Sequence, residues 1–461
     1  MMNYNQIGII GGGPAGLALS LFLKTPHDIL EATSKIGGHA SSFIDKGFTF
    51  DYGPHILFSK DTQILEFIIQ TLDQNVSRCK RNNKVSFKNR LIKYPFENDL
   101  HGLPLDDNFE CIRDYLFNPY QNDDHLPINM RSWFLKTFGE SLCSKYLFPY
   151  NEKVWNIPVE QLSMDLAERI PKPDPIDILK SSLGYSTEGY LHQLYYHYPK
   201  SGGYQAIFEN WKSQCPIFYN FKVTTIEKLP QGYFAVSDNA NQTRHYPQLV
   251  STMPVHHIVN CLKMDIPSDI VDSIDKLMVN PIIIGSFGIR GEDLEQMTAV
   301  YFPEKEFLIN RISYPCTFSP NNGPKGTWSL QAEITCKKDS DIWNTSDAEI
   351  LDHIRGGLQQ RGLLPDDDKI CLQRIDRKTE AYVVYTTGYE FHAEKVRQWF
   401  AAQGIYLLGR FGNFEYLNVD MVVDRALKMA MFLQKESHVD SKTLYLNRAL
   451  HNIRSKELLE K

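Results

Sequence analysis

The order of apolar and polar positions divides the chain into an α/β opening, a helical middle, a β-rich stretch and an α/β close. Ile7–Ile10 is an unbroken apolar run, too short for a helix, and reads as a buried strand. Glycines follow it directly. Pro14 to Lys24 then places Ala15, Leu19 and Leu23 at helical spacing, and Asp28–Leu30 leads into the next strand. Strand, helix and strand in this order open a doubly wound α/β fold. From about Asn108 to Leu194 the patterns are helical and interrupted by proline, as in Arg131–Phe138 and Gln161–Arg169. Strand patterns return at Phe218–Val236. Between Pro281 and Tyr385 β-branched and aromatic runs predict a sheet, among them Ile282–Ile284, Phe307–Ile312 and Trp328–Thr335. Ile405–Leu408, followed by an apolar helix from about Asp420, restores α/β character.

This pattern predicts an α/β fold with a discontinuous Rossmann-like domain over 1–93, 200–280 and 386–435. A helical insertion covers 94–199, an antiparallel sheet insertion covers 281–385, and 436–461 forms a charged helical tail suited to a surface or an oligomer contact. At 461 residues the chain has room for two or three such units.

Composition narrows the class only a little. The net charge of −6 argues against a nucleic-acid partner, which needs a basic face, but leaves room for a local basic pocket. The 24 tyrosines suit a ring-lined cleft, although buried core positions account for most of them. Eight scattered cysteines without a C-x-x-C pair point to reduced thiols and a cytoplasmic setting. The first residues do not read as a signal peptide, and no run approaches the ~20 apolar residues of a membrane span. His256–His257 and the pair His192 and His197 lack an accompanying acid or cysteine and read as structural, so no metal is expected.

The chemistry begins at the glycines. Gly11, Gly13 and Gly16 form G-x-G-x-x-G between strand and helix. Gly11 permits the tight turn, Gly13 lets a pyrophosphate approach the backbone, and Gly16 lets the helix lie close to the strand. Pro14 and Ala15 open the helix whose N-terminus faces the phosphates. Glu31, at the end of the next strand, is placed to accept bonds from a ribose. The second glycine pair, Gly37–Gly38, followed by His39, Ala40, Ser41 and Ser42, distinguishes FAD from NAD, because a longer cofactor needs a second close approach. Leu408–Gly412 (LGRFG), then Asp420 and an apolar helix, supply a third contact. These motifs resemble the FAD-dependent amine oxidase and protoporphyrinogen oxidase superfamily.

Within that superfamily the chain resembles the UDP-galactopyranose mutases from residue 7 to about 430. Asp51–Phe58 (DYGPHILF) is similar to the family's flavin loop. Tyr150–Trp155 (YNEKVW) resembles its nucleotide-holding stretch, and the spacing continues without a gap to Arg169, Tyr190 and Pro199–Gly203. Phe307–Arg311, followed by Phe318–Asn321, looks like the strand carrying a second pyrophosphate arginine. Arg410–Asp420 resembles the closing motif, with Tyr416 toward the diphosphate. The resemblance implies FAD contacts from Gly11, Gly13, Pro14, Ala15, Gly16, Glu31, Gly38, His39, Ala40, Ser41, Gly53, Pro54, His55, Val223, Gly409, Arg410, Tyr416, Asp420 and Met421. It implies substrate contacts from Phe58, Phe96, Tyr150, Asn151, Trp155, Tyr190, Tyr382 and Tyr416, with Arg169, Arg311 and His55 at the reacting centre. The pattern departs at Tyr94–Glu97 (YPFE), where a carboxylate replaces the amide of YPFQ, and in Ser329–Glu333, which lacks the bacterial tyrosine.

The implied activity is a nucleotide-sugar mutase acting through N5 of reduced FAD, supplied by an external reductant and assembled as a homo-oligomer. Paired arginines suit a departing diphosphate because guanidinium stays charged and binds oxygens bidentately. By residue type alone, Arg169 equally suits a helix C-terminus, Arg311 an exposed strand, Trp155 an apolar anchor, and the tyrosines a core. The alternative activity is an FAD-dependent oxidoreductase acting on a sugar or amine, since a fold does not dictate its chemistry.

Overall fold

The computed structural model describes residues 6–435 except 123–124, 171, 173, 189–193, 213–215 and 294, so Tyr190, His192 and the tail 436–461 lie outside the described residues. Ile7–Ile10 is buried throughout and sits at the centre of a five-stranded parallel sheet. His27–Leu30 and then Ile217–Phe218 lie on one side; Gln248–Ser251 and Ile405–Leu407 lie on the other. A run of four apolar residues flanked by parallel partners must be buried on both faces, hence its unbroken apolarity.

The first helix, Pro14–Phe22, starts with proline where an N–H would be unsatisfied in any case. A Cβ on Gly16 would lie 2.0 Å from the Gly11 carbonyl oxygen, so only glycine lets helix and loop come this close. Val419–Leu433 lies against this helix and returns the end of the described chain to the parallel sheet.

The second body is a seven-stranded sheet in the order Ile370–Val383, Val279–Arg290, Thr327–Thr335, Arg311–Ser313, Ala299–Tyr301, Asn83–Phe87 and Arg90–Lys93. All neighbours are antiparallel except Ala299–Tyr301 with Asn83–Phe87. The last two strands come from the stretch that the sequence grouped with the nucleotide-binding unit. They form a local hairpin, but Asn83–Phe87 also pairs with Ala299–Tyr301, more than 200 residues away, and local pattern carries no trace of that second pairing.

The helical insertion contains Leu105–Leu116, Met130–Phe138, Phe148–Trp155 and Pro175–Ser182 around a core with Phe96, Trp133, Phe134, Phe138 and Tyr146. Gln161–Arg169, expected as helix, instead ends one 3-10 turn, Val159–Gln161, bridges to Thr386 through Leu162, and continues as a second 3-10 turn, Met164–Arg169. Ser163 breaks the run: its hydroxyl caps Asp165 N–H while its own N–H donates to Tyr385 O (2.8 Å). Phe307–Asn310 is likewise not strand, and pairing starts only at Arg311. A helix at Asp347–Gln360 was not expected. Its capping box, Ser346 with Glu349, and its stripe of Ile350, Ile354 and Leu358 are visible in the chain but lay inside a stretch read as sheet. Among the described residues no helix is long and apolar enough to cross a membrane.

Candidate functional site

One cleft of about 490 Å³ runs from the glycine loop of the parallel sheet to the inner face of the seven-stranded sheet. At its first end Gly11 adopts φ +107° and receives no side chain, and Gly37 N–H donates to Gly12 O (2.9 Å), tying the two glycine loops together. A Cβ on Gly38 would stand 3.4 Å from Gly13 Cα, so the loops face each other across a gap that side chains would fill. Glu31 closes this end: its carboxylate accepts from Gly12 N (2.8 Å), Thr33 N (2.8 Å) and Thr33 Oγ1 (2.7 Å). Gly409, at φ +85°, brings the closing loop against the helix start, where a Cβ would meet Ala15 Cβ at 2.8 Å.

The middle of the cleft is lined by His39, Ala40, Gly53, Pro54, His55, Phe58 and Arg410. His55 stacks on Tyr204 (5.3 Å), and His39 lies tilted against Phe411 (4.9 Å). Burial, then the charge of Arg410, pushes the His55 imidazole down to about 3; burial, then Lys378, pushes His39 to about 4. Both rings are therefore neutral near pH 7 and suit hydrogen bonding rather than proton transfer.

At the far end Tyr382 and Tyr416 line the cleft, and the Trp155 indole packs edge-on behind them, 5.9 and 5.5 Å from the two phenol rings. Arg169 lies over Tyr416 (4.1 Å), donates to Tyr416 O, and donates to Asn418 Oδ1 at 3.0 Å. Arg410 covers the same ring at 4.9 Å and holds Leu417 O (2.9 Å). Arg311 enters from the sheet. The register sets Arg311 directly opposite Glu333, and the guanidinium reaches Oε2 through Nη2 (2.7 Å) and Nε (2.8 Å). Burial opposes the charge on Arg311, but Glu333 and the surrounding phenols overcompensate and hold it well above the ordinary range. Burial raises the Glu333 carboxyl despite Arg311.

Residues expected at the site divide into three groups. Gly11, Gly13, Pro14, Ala15, Glu31, Gly38, His39, Ala40, Gly53, Pro54, His55, Phe58, Arg169, Arg311, Tyr382, Gly409, Arg410 and Tyr416 share the cleft wall. Immediately behind it stand Trp155, whose Nε1 donates to Asn151 Oδ1 (3.2 Å), and Tyr150, edge-on to the wall residue Tyr301. Gly16, Ser41 and Asp420 act behind the wall: Gly16 under the helix, Ser41 bonded to Gly38 O (2.7 Å), and Asp420 accepting from Ser59 (2.5 Å). Phe96 is not brought to the cleft. It is fully buried between Phe87 and Tyr146, because its aromatic ring completes the helical core. Val223 opens a separate three-stranded sheet, and Met421 faces outward.

The sequence reading missed Arg81, Asn83, Tyr301, Glu333 and Lys378, all on the wall. Glu333 had only a weak signal: it is the one charged residue of Thr327–Thr335, where the polar positions Ser329, Gln331 and Glu333 alternate with apolar ones.

Residues 9–70 match the family model of an NAD(P)-binding Rossmann-like domain. A solved structure of reduced UDP-galactopyranose mutase superposes with a TM-score of 0.86 at 24% identity, covering 96% of this chain and 98% of that one. The chain shares the mutase fold. A putative protoporphyrinogen oxidase from Exiguobacterium sp. 255-15 follows at TM-score 0.73 and 17% identity, covering 95% and 100%. Putrescine oxidase bound to putrescine gives 0.65 and 12%, also covering 95% and 100%. The fold is thus common to proteins named for an isomerisation and for oxidations, and the wall residues must carry the distinction.

Proposed function

We propose that the chain binds FAD in this cleft and, with the flavin reduced, interconverts the ring forms of a nucleotide sugar. The observation that carries the reading is a concentration of buried polar atoms without partners on the cleft wall: His55 Nδ1, Arg81 Nε and Nη2, Asn83 Oδ1 and Glu333 Oε1. Native proteins rarely leave such atoms unpaired, so a polar ligand is expected among them. The glycine end suits the pyrophosphate of a dinucleotide: two backbone loops approach each other there, a helix N-terminus faces the gap, and Glu31 stands at ribose position. A mononucleotide would leave the far half of the cleft empty.

Reduced flavin, when bound, supplies a nucleophile to the anomeric carbon of the sugar. The chain's own residues must hold the leaving nucleoside diphosphate, whose negative charge grows as it departs. Arg169 and Arg311 line the same cleft from different insertions and suit that task. Glu333 orients Arg311 through Nε and Nη2, which leaves the Nη1 edge for phosphate oxygens. Burial holds the Tyr150 and Tyr382 phenols protonated, so they act as hydrogen-bond donors at neutral pH. Tyr416 offers a ring face to a base or sugar, and Trp155 packs edge-on behind it. Loss of one such contact to a departing anion costs about 3–4 kcal/mol of barrier.

The test begins with the cofactor. Protein purified under mild conditions should be yellow and release FAD on denaturation. Dithionite-reduced protein is then incubated with a panel of nucleotide sugars, products are read by NMR, and oxygen uptake is recorded in parallel. The expected result is a ring isomer formed without stoichiometric reductant, slowed more by Arg169→Ala than by Arg169→Lys. Turnover that consumes oxygen one for one would replace the mutase reading with an oxidase, and a colourless protein that cannot be reconstituted would end both.

A further inference from the structure

Tyr416 is gripped from two sides by one short stretch of chain. Arg169 covers its phenol ring and donates to its carbonyl oxygen. Its N–H donates to the Tyr385 hydroxyl (2.6 Å). Tyr385 lies two residues beyond the strand Ile370–Val383, whose Tyr382 lines the cleft, and itself stands behind the wall. Its ring stacks on Tyr389 (4.1 Å, 9° between planes). The Tyr389 hydroxyl is within hydrogen-bonding reach of both the Tyr385 hydroxyl and the Asp165 carboxylate. Burial raises both phenols, so both keep their protons at neutral pH. A carboxylate can only accept, so the order that satisfies every group runs from Tyr416 N–H to Tyr385, from Tyr385 to Tyr389, and from Tyr389 to Asp165. Asp165 and Arg169 belong to one 3-10 turn, Met164–Arg169. That turn therefore reaches Tyr416 twice, directly through the guanidinium and indirectly through two phenols.

The root of the turn is fixed by the same segment. Ser163 N donates to Tyr385 O (2.8 Å), Thr387 N donates to Gln161 O (2.8 Å), and Leu162 bridges Thr386 in antiparallel fashion. The loop on the other side is built so that it needs support. Phe414 adopts φ +53°, a left-handed conformation that a bulky residue keeps only when its surroundings hold it. Its buried ring packs against Tyr389 (6.1 Å). Asn413 N to Gly409 O and Glu415 N to Arg410 O, both 2.9 Å, close the loop, and Tyr416, one residue further, takes its support from the Tyr385 phenol.

We infer that Tyr385 is a positioning residue: its hydroxyl joins the turn carrying Arg169 to the loop carrying Tyr416, so that guanidinium and phenol meet a nucleoside diphosphate as one preset unit. The ligand in this statement rests on the proposed function; the coupling rests on the hydrogen bonds alone. Two groups already fixed relative to each other lose little freedom when a ligand binds, so more of their interaction appears as affinity. Tyr385 supplies this without touching the ligand, which separates its role from those of Arg169 and Tyr416.

Tyr385→Phe tests this in the full-length protein, because it keeps the ring, its stacking on Tyr389 and the bond from Ser163 N, and deletes only the hydroxyl. Amide hydrogen exchange over 413–418 should rise about tenfold, the effect of one N–H losing its partner, while exchange over 7–31 and FAD content stay as in the parent. UDP affinity, by intrinsic fluorescence titration, should fall about five- to tenfold. In a cycle with Arg169→Ala, the double variant should lose less UDP affinity than the product of the single losses, since the hydroxyl acts through the placement of the guanidinium. A residue that merely filled the core would give independent losses. Parent-like exchange over 413–418 in folded Tyr385→Phe, an equal rise over 7–31, or a double variant that shows the full product would overturn the inference. A parent that binds no UDP would remove the nucleotide reading, and exchange over 413–418 then decides the coupling by itself. If Tyr385→Phe fails to fold, Tyr389→Phe, which cuts the chain before Asp165, decides: exchange should rise over both 164–169 and 413–418, and parent-like values refute the coupling.

Discussion

Arg311→Ala should damage the fold before it reports on catalysis, because Arg311 is the cation that makes Glu333 tolerable inside the protein. Glu333 is 1% exposed and its Oε1 has no partner, so the substitution leaves a carboxylate in the sheet with nothing to balance it. Breaking a buried ion pair from one side costs about 3–5 kcal/mol, whereas replacing both partners with apolar residues is often neutral. Arg311→Met combined with Glu333→Leu should accordingly unfold within ~1 kcal/mol of the parent. The loss must also depend on pH. Burial already raises the Glu333 carboxyl despite Arg311, and removing the guanidinium raises it further. A carboxyl whose folded pKa exceeds its unfolded value of ~4.3 takes up protons on folding. Stability then falls as pH rises from there through the folded pKa. Arg311→Ala should therefore be least impaired near pH 5 and most impaired at pH 8. Urea midpoints for the parent, Arg311→Ala and the double variant, at both pH values, measure this. A deficit under about 1 kcal/mol at pH 8, or one equal at both pH values, would show that Glu333 reaches water and that the pairing argument fails. In the folded double variant, loss of nucleotide affinity would then isolate the role of Arg311 as an anion contact.

The glycine loop separates cofactor from fold. Gly13→Val places its Cβ 3.9 Å from Gly38 Cα, in ordinary contact, so the protein should melt like the parent but lose the flavin absorbance. Gly16→Ala, with its Cβ 2.0 Å from Gly11 O, should instead cost at least ~1–3 kcal/mol; a parent-like melt would show the loop moves freely. Asp51, raised to about 6 by burial against hydrogen bonds from Ser42, Tyr198 and Tyr204 N, makes stability fall between ~4 and 6 as pH rises. Asp51→Asn should gain on the parent across that window and hold a constant difference above it in melts from pH 4 to 8; a flat difference throughout would refute the burial argument.

How much was legible in the chain depended on the range of the physics involved. The dinucleotide end was legible because its requirements are local: a buried strand, a turn that excludes side chains, a helix start and an acid one strand later, all within residues 7–31. The aromatic and arginine residues of the far end were legible only through family resemblance, because nothing in their own neighbourhoods separates a wall residue from a core one. Phe96 shows the limit, since an aromatic beside a proline served the helical core and not the cleft. Glu333 and Arg311 show it from the other side. They are 22 residues apart, and only the register between two antiparallel strands makes them a pair. Likewise Arg81 and Asn83 became wall residues because their segment joined a sheet built mostly from residues beyond 279. Side-chain periodicity records which face of an element is apolar, but which element lies opposite is decided by long-range pairing, whose free energy depends on the whole assembled core.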